Sequence, residues 1–271
     1  MKKLTLAAAA ALVPVFLAAP ALPSKKKRAP FTGRYFAHRG LHDISRGIPE
    51  NSIAAFRAAR DAGYGIELDV QLSRDGKVAV FHDDSLKRVC GVDKKLGELD
   101  MEELRALRLL DTDHRIPLFS EVLETVGGKV PLIVELKTAK NYPELCAKTL
   151  RLLKDYSGDW CAESFDPRIV GWFRIHAPRV LRGQLAMPPK DYVREGLPRI
   201  AGAVLGNCLA NFISRPDFIA YREGAAPLTV RAVRAVGAMD VAWTAGDRRS
   251  EGSAEAIIFE GFKPPVRFKK D

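Results

Sequence analysis

The sequence predicts a TIM barrel, a closed ring of eight parallel strands joined by helices, with a small insertion after the second strand. Length is the first reason: 271 residues, 47% of them hydrophobic, match the roughly 250 residues that one such barrel needs. The second is the alternation of short apolar runs with stretches whose apolar residues recur every three or four positions, the pattern of strands and crossover helices. The third is the number of runs, which is eight.

The first segment stands outside this pattern. Residues 4–22, LTLAAAAALVPVFLAAPAL, carry no charge and one polar side chain, Thr5, over nearly the roughly 20 residues that a bilayer-spanning helix requires. An uncleaved membrane anchor over 1–23 is favoured over a signal peptide, because Ala19-Pro20-Ala21 is a poor cleavage site and the run KKKR that follows resembles a stop-transfer flank. A basic linker spans 24–33, and the barrel domain 34–271. Lys2 and Lys3 precede the apolar run, while Lys25, Lys26, Lys27, Arg28 and Arg34 follow it. The positive-inside rule therefore expects a cytoplasmic barrel, an exported or outer-face one being the alternative. The net charge of +10 is concentrated around this segment, which points to an anionic lipid surface rather than to nucleic acid. Cys90, Cys146, Cys161 and Cys208 lack CxxC spacing and read as free thiols, Cys161 in a strand and Cys146 and Cys208 in helices.

Strand-like runs fall at 34–40 (RYFAHRG), 65–72 (GIELDVQL), 131–137 (PLIVELK), 160–165 (WCAESF), 180–186 (VLRGQLA), 217–221 (DFIAY), 240–244 (DVAWT) and 256–260 (AIIFE). Helical patterns fall at 51–62, 142–153, 167–176, 198–212 and 227–236. Arg74-Asp75-Gly76 is a turn signal, so GIELDVQLS and KVAVFHD form a hairpin. The span 77–118, with a helix near 100–107, is then the insertion.

Functional groups of such a barrel gather at the C-terminal ends of its strands. His38-Arg39-Gly40 ends the first. Glu67 and Asp69 are two residues apart in the second strand, so both use the face that Ile66, Leu68 and Val70 do not. Glu135 and Lys137 repeat this geometry in the third strand, and His82-Asp83 ends the returning arm of the hairpin. Three carboxylates converging inside a barrel repel one another unless a cation joins them, and an all-oxygen set favours one hard divalent ion, Mg²⁺ or Ca²⁺. An ion network with Arg39 and Lys137, without metal, is the alternative. His38 and His82 beside such a cation suit proton transfer near neutral pH. His42, His114 and His176 have no such setting and read as solvated residues.

Taken in order, HRG (38–40), PENS (49–52), ELD (67–69), FHDDSL (81–86), ELK (135–137), SFDP (164–167) and AWT (242–244) resemble the glycerophosphodiester phosphodiesterases over 34–264. The resemblance implies metal-dependent hydrolysis of glycerophosphodiesters to an alcohol and sn-glycerol 3-phosphate. It implies His38 and His82 as the acid/base pair, Glu67, Asp69 and Glu135 as metal ligands, and Arg39 and Lys137 as the cations on the phosphate. Glu50 and Asn51 would support the substrate side, and Trp243 would pack on the glycerol moiety. Asn51 as a helix N-cap and Trp243 as a core residue are the alternatives. Ser52 and Glu260 depart from the family pattern, where threonine and aspartate are usual. A lysophospholipase D acting on membrane lysophospholipids and a non-catalytic, phosphodiester-binding membrane scaffold are the competing functions.

Overall fold

The computed structural model describes residues 16–269. All eight expected runs form strands, and the hairpin arm adds a ninth. They are β1 (Arg34–Ala37), β2 (Gly65–Leu72), β3 (Val78–Val80), β4 (Leu132–Leu136), β5 (Trp160–Ser164), β6 (Leu181–Ala186), β7 (Phe218–Arg222), β8 (Met239–Ala245) and β9 (Ala256–Phe259). Eight of these are parallel neighbours, and β1 closes the ring by pairing with both β9 and β2 (Tyr35↔Ile257, Ala37↔Ile66). β3 runs antiparallel to β2, with Val70 opposite Val80, so the hairpin lies outside the ring.

Strand alternation sorts the side chains into two environments. Ile66, Leu68 and Val70 of β2 and Leu132, Val134 and Leu136 of β4 point outward and pack against helix residues such as Phe56, Val122 and Leu145. The intervening positions point inward. Near the strand starts they are apolar: Phe36, Ile133, Cys161, Phe218 and Met239 form a plug, closed from below by Phe31 of the linker. Two glycines make the plug fit, since a Cβ at Gly65 would lie 2.4 Å from the Phe36 ring and one at Gly183 1.9 Å from the Phe218 ring. Towards the strand ends the inward rows turn polar, with Glu67, Asp69, Glu135 and Glu163 all buried.

The helices are α1 (Lys25–Arg28), α2 (Ile53–Ala62), α3 (Lys87–Cys90), α4 (Met101–Ala106), α5 (Phe119–Val126), α6 (Tyr142–Lys154), α7 (Pro167–His176), α8 (Pro189–Arg194), α9 (Arg199–Gly206), α10 (Asn211–Ser214) and α11 (Leu228–Ala235). The single helix expected at 198–212 is two. Asn207 turns its Nδ2 back to the Ala203 carbonyl at 2.8 Å, and Cys208 takes a φ of 55°, which ends the first helix. Cys208 is therefore buried in the break rather than in a helix. The insertion is no loose loop, because Phe81, Leu86, Leu96, Met101, Leu104 and Ile116 give it a small core of its own.

The continuous spanning helix expected over 4–22 does not hold for its described part. No helix among the described residues is long and apolar enough to cross a membrane. Residues 16–22 instead lie against the barrel. Asn211 Nδ2 donates to the Ala18 carbonyl at 2.9 Å, Arg215 Nη1 to those of Phe16 and Ala19 at 2.9 and 3.0 Å, and the Ala21 amide to Pro216 at 2.8 Å. Pro20 and Pro23 disfavour a helix here, and the barrel supplies the partners that the unpaired peptide groups need. Residues 1–15, with the rest of the expected anchor, lie outside the described residues.

Candidate active site

The carboxylates of Glu67, Asp69 and Glu135 are buried together, with one oxygen from each lying within 4.8 Å of the others. Their pairing in register explains the convergence, since Asp69 of β2 sits beside Glu135 of β4. Burial and the neighbouring charges of Asp69, Glu135 and Glu163 hold the Glu67 carboxyl well above its ordinary range. Burial raises Glu135 too, against the pull of Lys137. Asp69 goes the other way: burial would raise it, but Lys137, His82 and Arg39 together hold it well below the usual carboxylate range. Lys137 Nζ lies 2.7 Å from Glu135 and 3.3 Å from Asp69.

Arg39 is placed by its backbone as much as by its side chain. Its φ is 54°, its amide donates to Glu67 at 3.0 Å, and Nη1 donates to Glu50 at 2.8 Å. Gly40 follows because nothing larger fits, a Cβ there meeting Ala55 at 2.8 Å. Asn51 is not the helix cap. Ser52 is, accepting the Ala55 amide at 3.1 Å, while Asn51 Nδ2 donates to Asp69 at 2.8 Å. Glu50 and Asn51 thus hold Arg39 and Asp69 from behind and do not line the cavity.

The two histidines are held in the same way. His38 Nδ1 is 2.6 Å from Glu260 and His82 Nδ1 is 2.6 Å from Asp83, which fixes each ring through one nitrogen. His38 Nε2 is turned towards Glu67, at 3.9 Å. Burial lowers the His38 pKa and Glu260 opposes the shift. Glu260 is held ionised, well below its ordinary value, by hydrogen bonds from His38 and His42. His42 is therefore no solvated loop residue, because its Nε2 lies 3.4 Å from Glu260. Arg88 bridges the two halves of the site, bonding Glu50 at 2.8 and 2.9 Å and Asp83 at 2.7 and 2.9 Å. Gln71 Nε2, within 2.8 to 3.2 Å of the carbonyls of Phe81, His82 and Asp83, pins the loop beneath.

These groups open on a cavity of about 500 Å³ at the C-terminal ends of the strands, lined by the polar His38, Arg39, His82 and Lys137 and by the apolar Phe165, Leu185, Trp243 and Ile258. Trp243 is half-buried, its Nε1 bonded to the Ala220 carbonyl at 2.9 Å and its ring edge-on to Phe165 at 5.4 Å. A model of the glycerophosphoryl diester phosphodiesterase family matches residues 38–259. The chain belongs to that family. It is similar to a glycerophosphodiester phosphodiesterase of Caldanaerobacter subterraneus, 36% identical over 130 residues, 45% of this chain and 52% of that protein. It is also similar to a human lysophospholipase D, 32% identical over 151 residues, 51% of this chain and 46% of that protein. The chain thus spans about half the length of these relatives. Among solved structures, a glycerophosphodiester phosphodiesterase of Thermotoga maritima superposes with a TM-score of 0.62 at 27% identity, covering 83% of this chain and 93% of that one.

Within this family frame, the structure brings His38, Arg39, Glu67, Asp69, His82, Glu135, Lys137 and Trp243 together at the mouth, leaves Glu50 and Asn51 behind Arg39 and Asp69, and adds Glu163, Glu260, His42, Asp83 and Arg88. Glu163 could have been found from WCAESF, where it interrupts an apolar run at the register of Glu135. Arg88 and His42 carry no local signal, because their partners are distant in the chain.

Proposed function

We propose that the protein hydrolyses glycerophosphodiesters to an alcohol and sn-glycerol 3-phosphate, using one divalent cation. The observation that carries this reading is the pair of histidines, each with Nδ1 on a carboxylate, in one cavity with three converging acids. The donors fit a cation: three buried carboxyl oxygens within reach of one another, two of them on carboxyls raised by burial and repulsion. Glu67, Asp69 and Glu135 would hold it, and an all-oxygen set favours Mg²⁺ or Ca²⁺. Bound there, the ion supplies Lewis-acid stabilisation of phosphate charge.

The chain's own groups account for the rest. Arg39 and Lys137 present N–H donors to the phosphate oxygens. One imidazole Nε2 takes the proton of the attacking oxygen, and the other gives a proton to the departing alkoxide, so that water is divided across the P–O bond. Glu260 and Asp83 stabilise whichever ring is protonated. Trp243, Phe165 and Leu185 offer an apolar wall for the glycerol carbons. A scaffold without catalysis has no use for two matched imidazole–carboxylate pairs, which disfavours that alternative. Release of glycerol 3-phosphate from glycerophosphocholine, abolished by chelator and restored by Mg²⁺ or Ca²⁺, is the expected result. Equal turnover in metal-stripped protein would overturn the cation, and no turnover under any ion would overturn the activity.

A further inference from the structure

The floor of the barrel, opposite the cavity, carries an apolar and basic surface that this reaction does not use. Of the ten large hydrophobic side chains exposed among the described residues, six lie at this end: Phe16, Leu22, Ile175, Phe212, Ile213 and Val236. They belong to the docked segment 16–22, to the last turn of α7 (Ile175), to α10 (Phe212, Ile213) and to the residue that ends α11 (Val236), the elements that lead into the starts of β6, β7 and β8. Phe16 is 65% exposed, Leu22 68% and Ile175 74%, so these are tips rather than flanks of the core.

Cations surround them. Lys27 is paired with Asp217 and Arg28 with Glu255, but among the described residues Lys25, Lys26, Arg174 and Arg179 form no ion pair. A cleft of about 610 Å³ opens on the same face between Lys26, Lys27, Trp160 and Arg179, with Asp159 as its acidic member. Apolar tips rimmed by unpaired cations match the boundary layer of an anionic bilayer, where phosphates meet the cations and acyl chains the tips. The sequence itself points to that occupant, because Phe16, which sits in this patch, is preceded in the chain by the uncharged, mostly apolar run 4–15.

We propose that the barrel floor docks on an anionic bilayer, with the cavity mouth facing the aqueous side. Only the second clause rests on the active-site reading, and the test reads binding rather than turnover. Full-length protein is sedimented with vesicles of phosphatidylcholine alone or mixed with phosphatidylglycerol. Anionic vesicles are expected to bind at least about tenfold more tightly, and the variant Lys25→Glu, Lys26→Glu, Arg179→Glu to lose that preference with its thermal melting unchanged. In a Cys90→Ser background, an environment-sensitive dye on Ile175→Cys should shift to the blue on vesicles. A dye on Leu228→Cys, at the mouth end of α11, should not. Binding indifferent to lipid charge, a charge-reversed variant that keeps the preference, or a response at Leu228 would each overturn the proposal, as would binding to acidic proteins but not to vesicles.

Discussion

His38 and His82 are built as matched parts, and their partners make distinct predictions. His38→Ala and His82→Ala should each lower kcat by about 10² to 10⁴, and the double variant should fall far short of the product of the two losses. A p-nitrophenyl phosphodiester, whose leaving group needs no proton, should rescue one single variant and so name the acid. Loss of only a few-fold in both would remove them from the chemistry. Glu260→Gln removes the anion that opposes the burial-induced lowering of the His38 pKa. The limb of the pH–rate profile set by His38 should therefore move to lower pH, and an unmoved limb would separate the two residues. The acids make a third prediction. An unfolded chain ionises Glu67 and Glu135 near their ordinary value of 4.5, whereas burial keeps the folded carboxyls protonated to higher pH. Above that value the folded state holds more protons, so metal-free stability falls as pH rises. Asp69, held low, contributes stability above its ordinary value of 3.8 that is lost only as pH falls, a separate window. A divalent ion displaces the retained protons, so the rise in Tm on adding metal should grow as pH rises above the carboxyls' ordinary value of 4.5. Glu67→Gln should abolish that rise while leaving metal-free Tm level or higher.

Among the elements, the strands were legible in the sequence because their inward and outward rows differ in chemistry within a few residues. GIELDVQL encodes a wall of Ile66, Leu68 and Val70 on one side and Glu67 and Asp69 on the other, and both faces were found as expected. The span 198–212 was less legible, because its apolar spacing continues through a break made by Asn207 and Cys208 backbone geometry. Asn51 left two readings open in the sequence, support of the site and helix cap, and only the folded chain separates them, by putting its amide on Asp69 and giving the cap to Ser52. Gly65 offers a test at this scale. It gives no pattern in the sequence, yet a Cβ would meet the Phe36 ring at 2.4 Å in a closed plug. Gly65→Ala should cost about 1–3 kcal/mol in urea unfolding, and a neutral effect would mean that the plug is loosely packed.

At the scale of the molecule, the two ends of the barrel differ in what they offer. The mouth gathers buried acids, two imidazoles and an aromatic wall, and the floor gathers exposed hydrophobic tips and unpaired lysines and arginines. The floor was the least legible part of the sequence. The run at 4–22 reads as one apolar unit, and its bonds to Asn211, Arg215 and Pro216 show that its last third belongs to the barrel. This polarity bears on which diesters reach the mouth, since a lysophospholipid partitions, reversibly, into the bilayer through its one acyl chain. With the floor on the membrane, the cavity faces away from that lipid by the full height of the barrel. Strands of five to eight residues, such as β5 and β2, make that height about 15–25 Å. A water-soluble diester reaches the mouth freely. Glycerophosphocholine should accordingly be cleaved at the same rate with and without anionic vesicles, whereas lysophosphatidylcholine held in those vesicles should be cleaved at least about tenfold more slowly than the soluble diester at equal concentration. Equal rates on both would overturn the orientation with the mouth facing away from the bilayer.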